Sequence, residues 1–101
     1  MRILALETEK QDASAGDFQP LLVEEARKVW EFYQDDFIRE IYFRADKTSV
    51  ILMLECSGID EARQKLSMLP LVLANLIVFE LIPLVPYPGF SRLFESLCNG
   101  K

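Results

Sequence analysis

The sequence predicts an α+β protein in which two helices cover one face of a four-stranded antiparallel sheet. The first observation is the order of its segments, which alternate as strand, helix, strand, strand, helix and strand. The second is a central pair of strands with one apolar and one mixed face, typical of an antiparallel sheet. The third is the length of 101 residues, half of them hydrophobic, which is enough for one core and too little for two. Residues 1–101 are therefore expected to form a single domain.

The first strand is predicted over residues 2–8, and the polar stretch 9–19 is predicted to be a loop. Pro20 suits the first turn of a helix, where its missing N–H costs nothing. Helical spacing then relates a set of apolar residues expected to face the core: Leu22, Ala26, Val29, Trp30 and Tyr33. The charged residues between them are expected to face solvent: Glu24, Glu25, Lys28 and Glu31.

The central strands are predicted at 37–44 and 49–56, joined by a turn at 45–48. One face is almost wholly apolar and pairs Phe43 with Val50, Ile41 with Leu52 and Phe37 with Cys56. Arg39 interrupts this face, either reaching solvent at the sheet edge or contacting a ligand under the helices. The mixed face carries the alternate residues: Ile38, Glu40, Tyr42, Arg44, Ser49, Ile51, Met53 and Glu55.

The second half of the chain predicts one more helix and one more strand. A single stripe of apolar residues, Ile59, Ala62, Leu66 and Leu69, marks the helix, which Pro70 ends or redirects. The last strand is predicted at 76–84. Its isolated Glu80 is interpreted either as a buried acid or base, or as an exposed charge that blocks aggregation at an edge strand. Residues 91–97 are predicted to form a short final helix, with an apolar face expected to pack on a neighbouring subunit.

This order of elements is the ferredoxin-like, or split βαβ, pattern. With both helices on one face, the other face would expose Ile38, Tyr42, Ile51 and Met53, too much apolar surface for a monomer. A second subunit packed face to face would cover it and give a dimeric α+β barrel. The sequence therefore predicts a homodimer or a higher homo-oligomer.

Composition and charge exclude several classes of function. A net charge of −5 argues against nucleic acids and anionic membranes as partners. The chain has no histidine, and its four glycines are scattered, so neither a metal site nor a bound cofactor is expected. Glu80 and several prolines argue against a membrane span in the apolar run 68–86.

Localisation is predicted from the cysteines and the N-terminus. Cys56 and Cys98 have neither metal-ligand spacing nor a disulfide framework, which is typical of a reducing cytoplasm. The apolar run 3–6 is interrupted by Glu7 and is too short for a signal peptide. The protein is therefore expected to be cytoplasmic.

Several short segments carry a resemblance to a known family: Tyr42-Phe43-Arg44, Glu55, Glu61-Ala62-Arg63, Leu69-Pro70-Leu71, residues 80–84 and residues 86–90. Across residues 44–88, and more loosely towards both ends, the sequence resembles the muconolactone isomerase-related group of dimeric α+β barrel proteins. The resemblance implies this fold and a cofactor-free proton transfer beside a lactone or carbonyl group of a small anionic lactone or oxo acid. Characterised isomerases of the group carry histidines, and this chain carries none.

Such chemistry needs a carboxylate base and a cation or hydroxyl where enolate charge develops. Glu40 or Glu55 is the candidate base, Arg44 the anchor for a substrate carboxylate, and Tyr42 a phenolic donor. Glu40, Tyr42 and Arg44 share one side of a strand because the strand period is two. In the alternative interpretation these residues form ion pairs at a subunit interface of a non-catalytic assembly or small-ligand-binding protein. A cofactor-independent monooxygenase is a third option.

Overall fold

The computed structural model describes residues 1–94. Its four strands are β1 (Arg2–Glu9), β2 (Ile38–Phe43), β3 (Val50–Glu55) and β4 (Ile77–Leu84). Its α-helices are α1 (Ala15–Phe18), α2 (Leu22–Gln34), α3 (Ile59–Leu66) and α4 (Pro70–Leu73). The strands and the two longer helices follow the predicted order, and the α+β, ferredoxin-like fold is confirmed.

The sheet has the strand order β2-β3-β1-β4, and all three strand pairs are antiparallel. Alternate residues of the paired strands point to opposite faces. One face, which holds Ile3, Ala5, Leu52 and Leu54, packs against the helices through Phe32 of α2 and Ala62 and Leu66 of α3. We call the other face, which holds Leu4, Leu6, Ile51 and Met53, the open face. Glu80 is exposed on edge strand β4, as the second of its two interpretations expected.

The predicted inward face of α2 is confirmed at Val29, which packs against the core, and wrong at Trp30 and Tyr33. Phe32 is the buried residue of this helix, and its ring packs edge-on against Phe37 with centroids 5.1 Å apart. Because Phe32 points inward, the inward row of the helix runs through Glu25 and Val29 at spacings of four and three residues. Trp30 and Tyr33, expected in the core, are instead about half exposed and stack on each other outside it.

The predicted hairpin register is confirmed at one end and wrong at the other. Phe43 pairs with Val50 and Ile41 with Leu52, but the register shifts between Ile38 and Glu40. This β-bulge breaks the alternation of side chains. Ile38, expected on the open face, therefore pairs with Leu54 and is buried in the core.

The same bulge removes the expected pairing of Phe37 with Cys56, because the Glu55 amide donates to the Phe37 carbonyl instead. Arg39, at the bulge, is exposed and its Nε donates to the Asp36 carbonyl at 2.8 Å. Its position at the edge of the sheet agrees with the first of its two interpretations.

The predicted loop at 9–19 is wrong in part, because it contains the helical turn α1, which is followed by a 3-10 turn that includes Pro20. Pro70 does not only end the preceding helix: it is the first residue of α4, where a proline loses no hydrogen bond. Residues 92–94 are helical, in agreement with the predicted final helix as far as the structure describes it. The rest of that helix and Cys98 lie outside the described residues.

Two sharp turns lead from α2 into β2 and from α4 into β4. Asp36 and Asn75 have φ angles of 65° and 63°, the left-handed conformation that commonly closes a helix. In each turn the next amide reaches back to the helix: Phe37 donates to the Phe32 carbonyl and Leu76 to the Leu71 carbonyl.

Candidate functional site

A cavity of about 320 Å³ lies between α2 and the helix-covered face of the sheet. Its walls come mainly from apolar side chains of α2, β2, β3 and the segment around α4, among them Val29, Ile41, Val50 and Leu71. The volume is at the lower end of the range for ligand pockets. The cavity therefore suits a small and largely apolar molecule.

Glu7 brings a carboxylate to the sheet side of this cavity. It follows Ile3 and Ala5 in the row of β1 that faces the helices. Ile3 and Ala5 are fully buried, whereas Glu7 is only partly buried. Its Oε1 accepts a hydrogen bond from the Val50 amide at 3.0 Å. The Glu7 carbonyl also accepts a bond from the Ser49 hydroxyl at 2.8 Å. Glu7 thus fastens the start of β3 to β1 and lines the cavity at the same time.

Glu25 brings a second carboxylate from α2. Its Oε1 accepts a hydrogen bond from the Leu71 amide, at the start of α4, at 2.9 Å. The residue was expected to face solvent, but it is half-buried because α2 turns its Glu25–Val29–Phe32 row inward. The bond ties α2 to α4, and both Glu25 and Leu71 line the cavity.

Both carboxylates are easier to protonate than an ordinary glutamate. Burial raises the pKa of Glu7 above the usual 4.5, with a smaller increase from the charge of Glu9, while the bond from Val50 opposes it. Burial also raises the pKa of Glu25, the bond from Leu71 opposes this, and the charge of Glu7 adds to it. In both cases burial is the main cause of the raised pKa, and the charge of a neighbouring glutamate adds to it.

The second oxygen of each carboxylate is available to a ligand. In Glu7 and in Glu25, Oε1 accepts the backbone hydrogen bond, whereas Oε2 has no hydrogen-bond partner among residues 1–94. No buried side-chain oxygen or nitrogen in this range lacks a partner. The lining contains Glu9 as a third acid and no lysine or arginine among the described residues. The cavity is therefore largely apolar, with acidic groups and no basic group in its described lining.

The residues proposed from sequence lie elsewhere. Tyr42 donates a hydrogen bond to Glu40 at 2.7 Å, and this bond raises the pKa of Tyr42. Both residues border an open groove of about 380 Å³, together with Tyr33, Arg39 and Ile41. The expected sharing of one side by Glu40 and Tyr42 is thus observed, and Arg39 supplies the cation beside them.

Arg44 and Glu55 are held by other partners. The Arg44 guanidinium makes two hydrogen bonds to the Asp46 carboxylate, at 2.8 and 2.6 Å, which lower the pKa of Asp46. Glu55 accepts a bond from the N-terminal amine of Met1 at 2.7 Å, and this bond lowers the pKa of Glu55. Neither residue lines the groove beside Tyr42.

Sequence reasoning missed Glu7 and Glu25 as site residues, although both leave a signal. Glu7 continues the period-two row of Ile3 and Ala5, so the alternation of β1 places a charged residue in an inward row. Glu25 shares a helical row with Val29 and Phe32 at i, i+4 and i+7. That row becomes apparent only once Phe32, rather than Trp30, is recognised as the core residue.

The described residues contain neither a metal-binding cluster nor a helix that could span a membrane. In residues 1–94 no group of three or more cysteine, aspartate or glutamate side chains is placed to hold a metal ion. Over the same range, no helix is both long enough and apolar enough to cross a bilayer.

Comparison with known proteins shows a likeness in structure. A crystal structure of muconolactone isomerase, determined at 3.3 Å resolution, superposes with a TM-score of 0.71 over 87% of this chain and 92% of that one. The two sequences are 16% identical, so the likeness establishes the fold alone. No protein-family model matches the sequence, and no curated protein matches it significantly.

Proposed function

We propose that this protein is a cofactor-free isomerase that moves a proton on a small uncharged carbonyl compound, such as an unsaturated lactone. The observation that carries the proposal is the pair of half-buried carboxylates, Glu7 and Glu25, that line one apolar cavity. The similarity in fold to muconolactone isomerase is consistent with this reaction class, as an analogy. The cysteine usage described above favours the cytoplasm as its location.

The raised pKa values suit the two roles that the reaction needs. With one carboxyl ionised and the other protonated, the ionised group removes a proton from a carbon next to the carbonyl. The C–H electron pair moves into the conjugated system to give a dienolate, and the neutral carboxyl donates a hydrogen bond to its oxygen. The first carboxyl then returns its proton to the distal carbon, so the double bond shifts without oxidation or reduction.

The charge of the cavity selects the substrate. The sequence alone suggested an anionic lactone or oxo acid, held by Arg44, but Arg44 is bound to Asp46 and does not line the cavity. Glu7, Glu9 and Glu25 would repel a carboxylate, and desolvating an unpaired charge in an apolar site is costly. We therefore expect the cavity to take the uncharged ester or lactone.

Proton transfer can be measured without knowing the natural substrate. A neutral five-membered unsaturated lactone is incubated with the protein in D₂O, and NMR follows both deuterium incorporation and migration of the double bond. We expect Glu7→Gln and Glu25→Gln to lose at least 100-fold in rate, since a general base contributes about 10²–10⁴. Glutamine keeps an acceptor for the Val50 or Leu71 amide, so folding is preserved.

The matched control is Glu24→Gln, which removes the neighbouring but exposed carboxylate of α2 outside the cavity. It should leave the rate unchanged. The carboxymethyl derivative of the same lactone should react more slowly than the uncharged compound. If the lactone binds and stabilises the protein without any deuterium exchange, the protein is a small-ligand-binding protein, as the alternative interpretation holds.

A second candidate site is favoured by the groove beside Tyr42. Arg39 could attract a small anion there, while Glu40 and Tyr42 exchange a proton through their hydrogen bond. Glu40 and Tyr42 belong to the site proposed from sequence, whereas the other two residues of that proposal, Arg44 and Glu55, lie outside the groove. Loss of turnover in Tyr42→Phe or Arg39→Ala, with Glu7→Gln fully active, would move the chemistry from the cavity to this groove.

We infer further that the protein is a homodimer formed through the open face. In one chain that face exposes part of each of its central apolar side chains: Leu4, Leu6, Ile51 and Met53. Met53→Glu should convert the dimer to a monomer in light scattering, whereas Gln64→Glu on the exposed side of α3 should not. A wild-type protein that is monomeric at micromolar concentration would refute this assembly.

A further inference from the structure

The cavity between α2 and the sheet has an apolar mouth. Three of its lining residues, Leu22, Ile41 and Phe43, are also exposed to solvent, Phe43 by 69%. Large apolar side chains grouped in this way usually mark a surface that another element covers. Within residues 1–94, nothing of the chain itself covers Phe43.

The same chain carries an exposed apolar segment, residues 85–94, which we call the arm. Beyond the end of β4 its large side chains are all at least half exposed: Val85, Tyr87, Phe90, Leu93 and Phe94. The arm therefore lacks an apolar partner within the described part of its own chain. Exposed aromatic side chains of this kind commonly act as anchors at protein interfaces.

The arm is ordered locally around two rings. Tyr87 and Phe90 pack edge to face, with ring centroids 5.0 Å apart and planes at 85°. A Cβ atom at Gly89 would lie 2.0 Å from the Tyr87 ring, so the ring rests on the glycine backbone. The Ser91 hydroxyl closes the turn by donating to the Pro88 carbonyl at 2.9 Å. A pre-organised aromatic pair loses little conformational entropy on binding.

The topology keeps the arm away from its own cavity. The arm leaves β4 at Leu84, which pairs with Arg2 at the start of β1. The cavity lies at the other end of the sheet, beside Glu7, Glu9 and Val50. Glu9 is seven steps along β1 from Arg2, roughly 23 Å at about 3.3 Å per residue. In this conformation the arm cannot reach the mouth of its own cavity, so an arm that covers the mouth must come from another copy.

The charges of the arm and of the cavity mouth also favour contact between two copies. Arg92 is the arm's cation, and in residues 1–94 it has no carboxylate within ion-pair distance. The mouth has the opposite charge, with exposed Glu9 beside the two cavity carboxylates. We propose that the arm of a second copy closes the cavity, with Tyr87 and Phe90 on Leu22, Ile41 and Phe43, and Arg92 facing Glu9. This assembly does not depend on whether the cavity is catalytic.

Photo-crosslinking of the full-length protein tests the proposal. Phe90 is replaced by p-benzoylphenylalanine, and this ¹⁴N chain is mixed with a ¹⁵N wild-type chain before irradiation. Mass spectrometry should find adducts between light and heavy chains at Leu22, Ile41 or Phe43. The control places the same photo-reactive residue at Val78, an exposed position of β4 on the open face, and should give no adduct at the mouth.

Three results would overturn the proposal: adducts confined to one chain, adducts on Ile51 or Met53 of the open face, or no adduct between chains. A charge exchange provides a second measurement. Arg92→Glu in the photo-reactive chain should lower the yield of mouth adducts about 2- to 5-fold, the range of an exposed ion pair. Glu9→Arg in the heavy chain should restore the yield of mouth adducts. An unchanged yield in both mixtures would contradict the proposed contact between Arg92 of one copy and Glu9 of the other.

Discussion

Replacing Glu7 with alanine or with glutamine separates its structural bond from its charge. In Glu7→Ala the Val50 amide loses its acceptor at a part-buried position, which costs about 1–3 kcal/mol. Since the site is only half-buried, we expect the lower half of that range. Glutamine retains a carbonyl oxygen for the Val50 amide, so Glu7→Gln should lose little of this free energy.

The charge of Glu7 acts in the opposite direction. Because burial raises its pKa in the folded state, the folded chain binds more protons than the unfolded chain between the usual 4.5 and the raised value. Its contribution to the free energy of unfolding is complete below the unfolded pKa and is lost as the pH rises through the folded pKa. Glu7→Gln cannot lose this contribution. The free energy of unfolding of the variant, measured relative to that of the wild type, should therefore be higher at pH 8 than at pH 4.

Urea denaturation at both pH values measures both effects. A loss of about 1.5 kcal/mol in Glu7→Ala corresponds to a midpoint shift of roughly 1 M at a typical slope for a small domain. Two results would refute this reasoning: Glu7→Gln being as unstable as Glu7→Ala, or Glu7→Gln keeping the full pH dependence of the wild type. The first would show that the Val50 bond does not matter, and the second that the charge is not desolvated.

Three further predictions concern the rest of the chain. Leu54→Ala, at a fully buried core position, should cost about 2–5 kcal/mol in urea denaturation with the fold retained by circular dichroism. Asp36→Gly should stabilise the fold by less than about 1 kcal/mol, because glycine avoids most of the cost of the left-handed conformation but adds entropy to the unfolded chain. A lower thermal midpoint would contradict this prediction. Arg44→Ala should leave the melting temperature unchanged, because its pair with Asp46 is exposed, and it should leave the lactone isomerisation rate unchanged as well.

The fold could be predicted from the sequence because its signals are local. The alternation in β3 and the spacing of Ala62, Leu66 and Leu69 each point to one face, and these faces agree with one another. The errors arose where an element had more apolar residues than the core could take. In α2, either Trp30 or Phe32 could have faced inward, and only packing against Phe37 decides between them.

The bulge at Arg39 has a similar explanation. The one local sign is Arg39, which interrupts the apolar face, but a charged side chain at the edge of a regular strand would leave the same sign. The buried environment is better satisfied by Ile38 than by Arg39, and the bulge places Ile38 in the core while Arg39 remains at the edge. A contact of this kind depends on tertiary packing and is not encoded in the period of either strand.

The candidate site was harder to predict because its residues belong to distant elements and have structural partners. Glu7 and Glu25 each bind a backbone amide, of Val50 and Leu71, in a segment more than 40 residues away in sequence. The amides that position the carboxylates thus come from the β3 strand and the α4 helix, and no motif around either glutamate records this. The absence of histidine does not remove acid–base chemistry from the chain, since burial and the charge of a neighbouring glutamate raise the pKa of each cavity carboxyl. The same two effects would reject an anionic substrate, so the proposed acid–base function and the expected preference for an uncharged ligand have one physical origin.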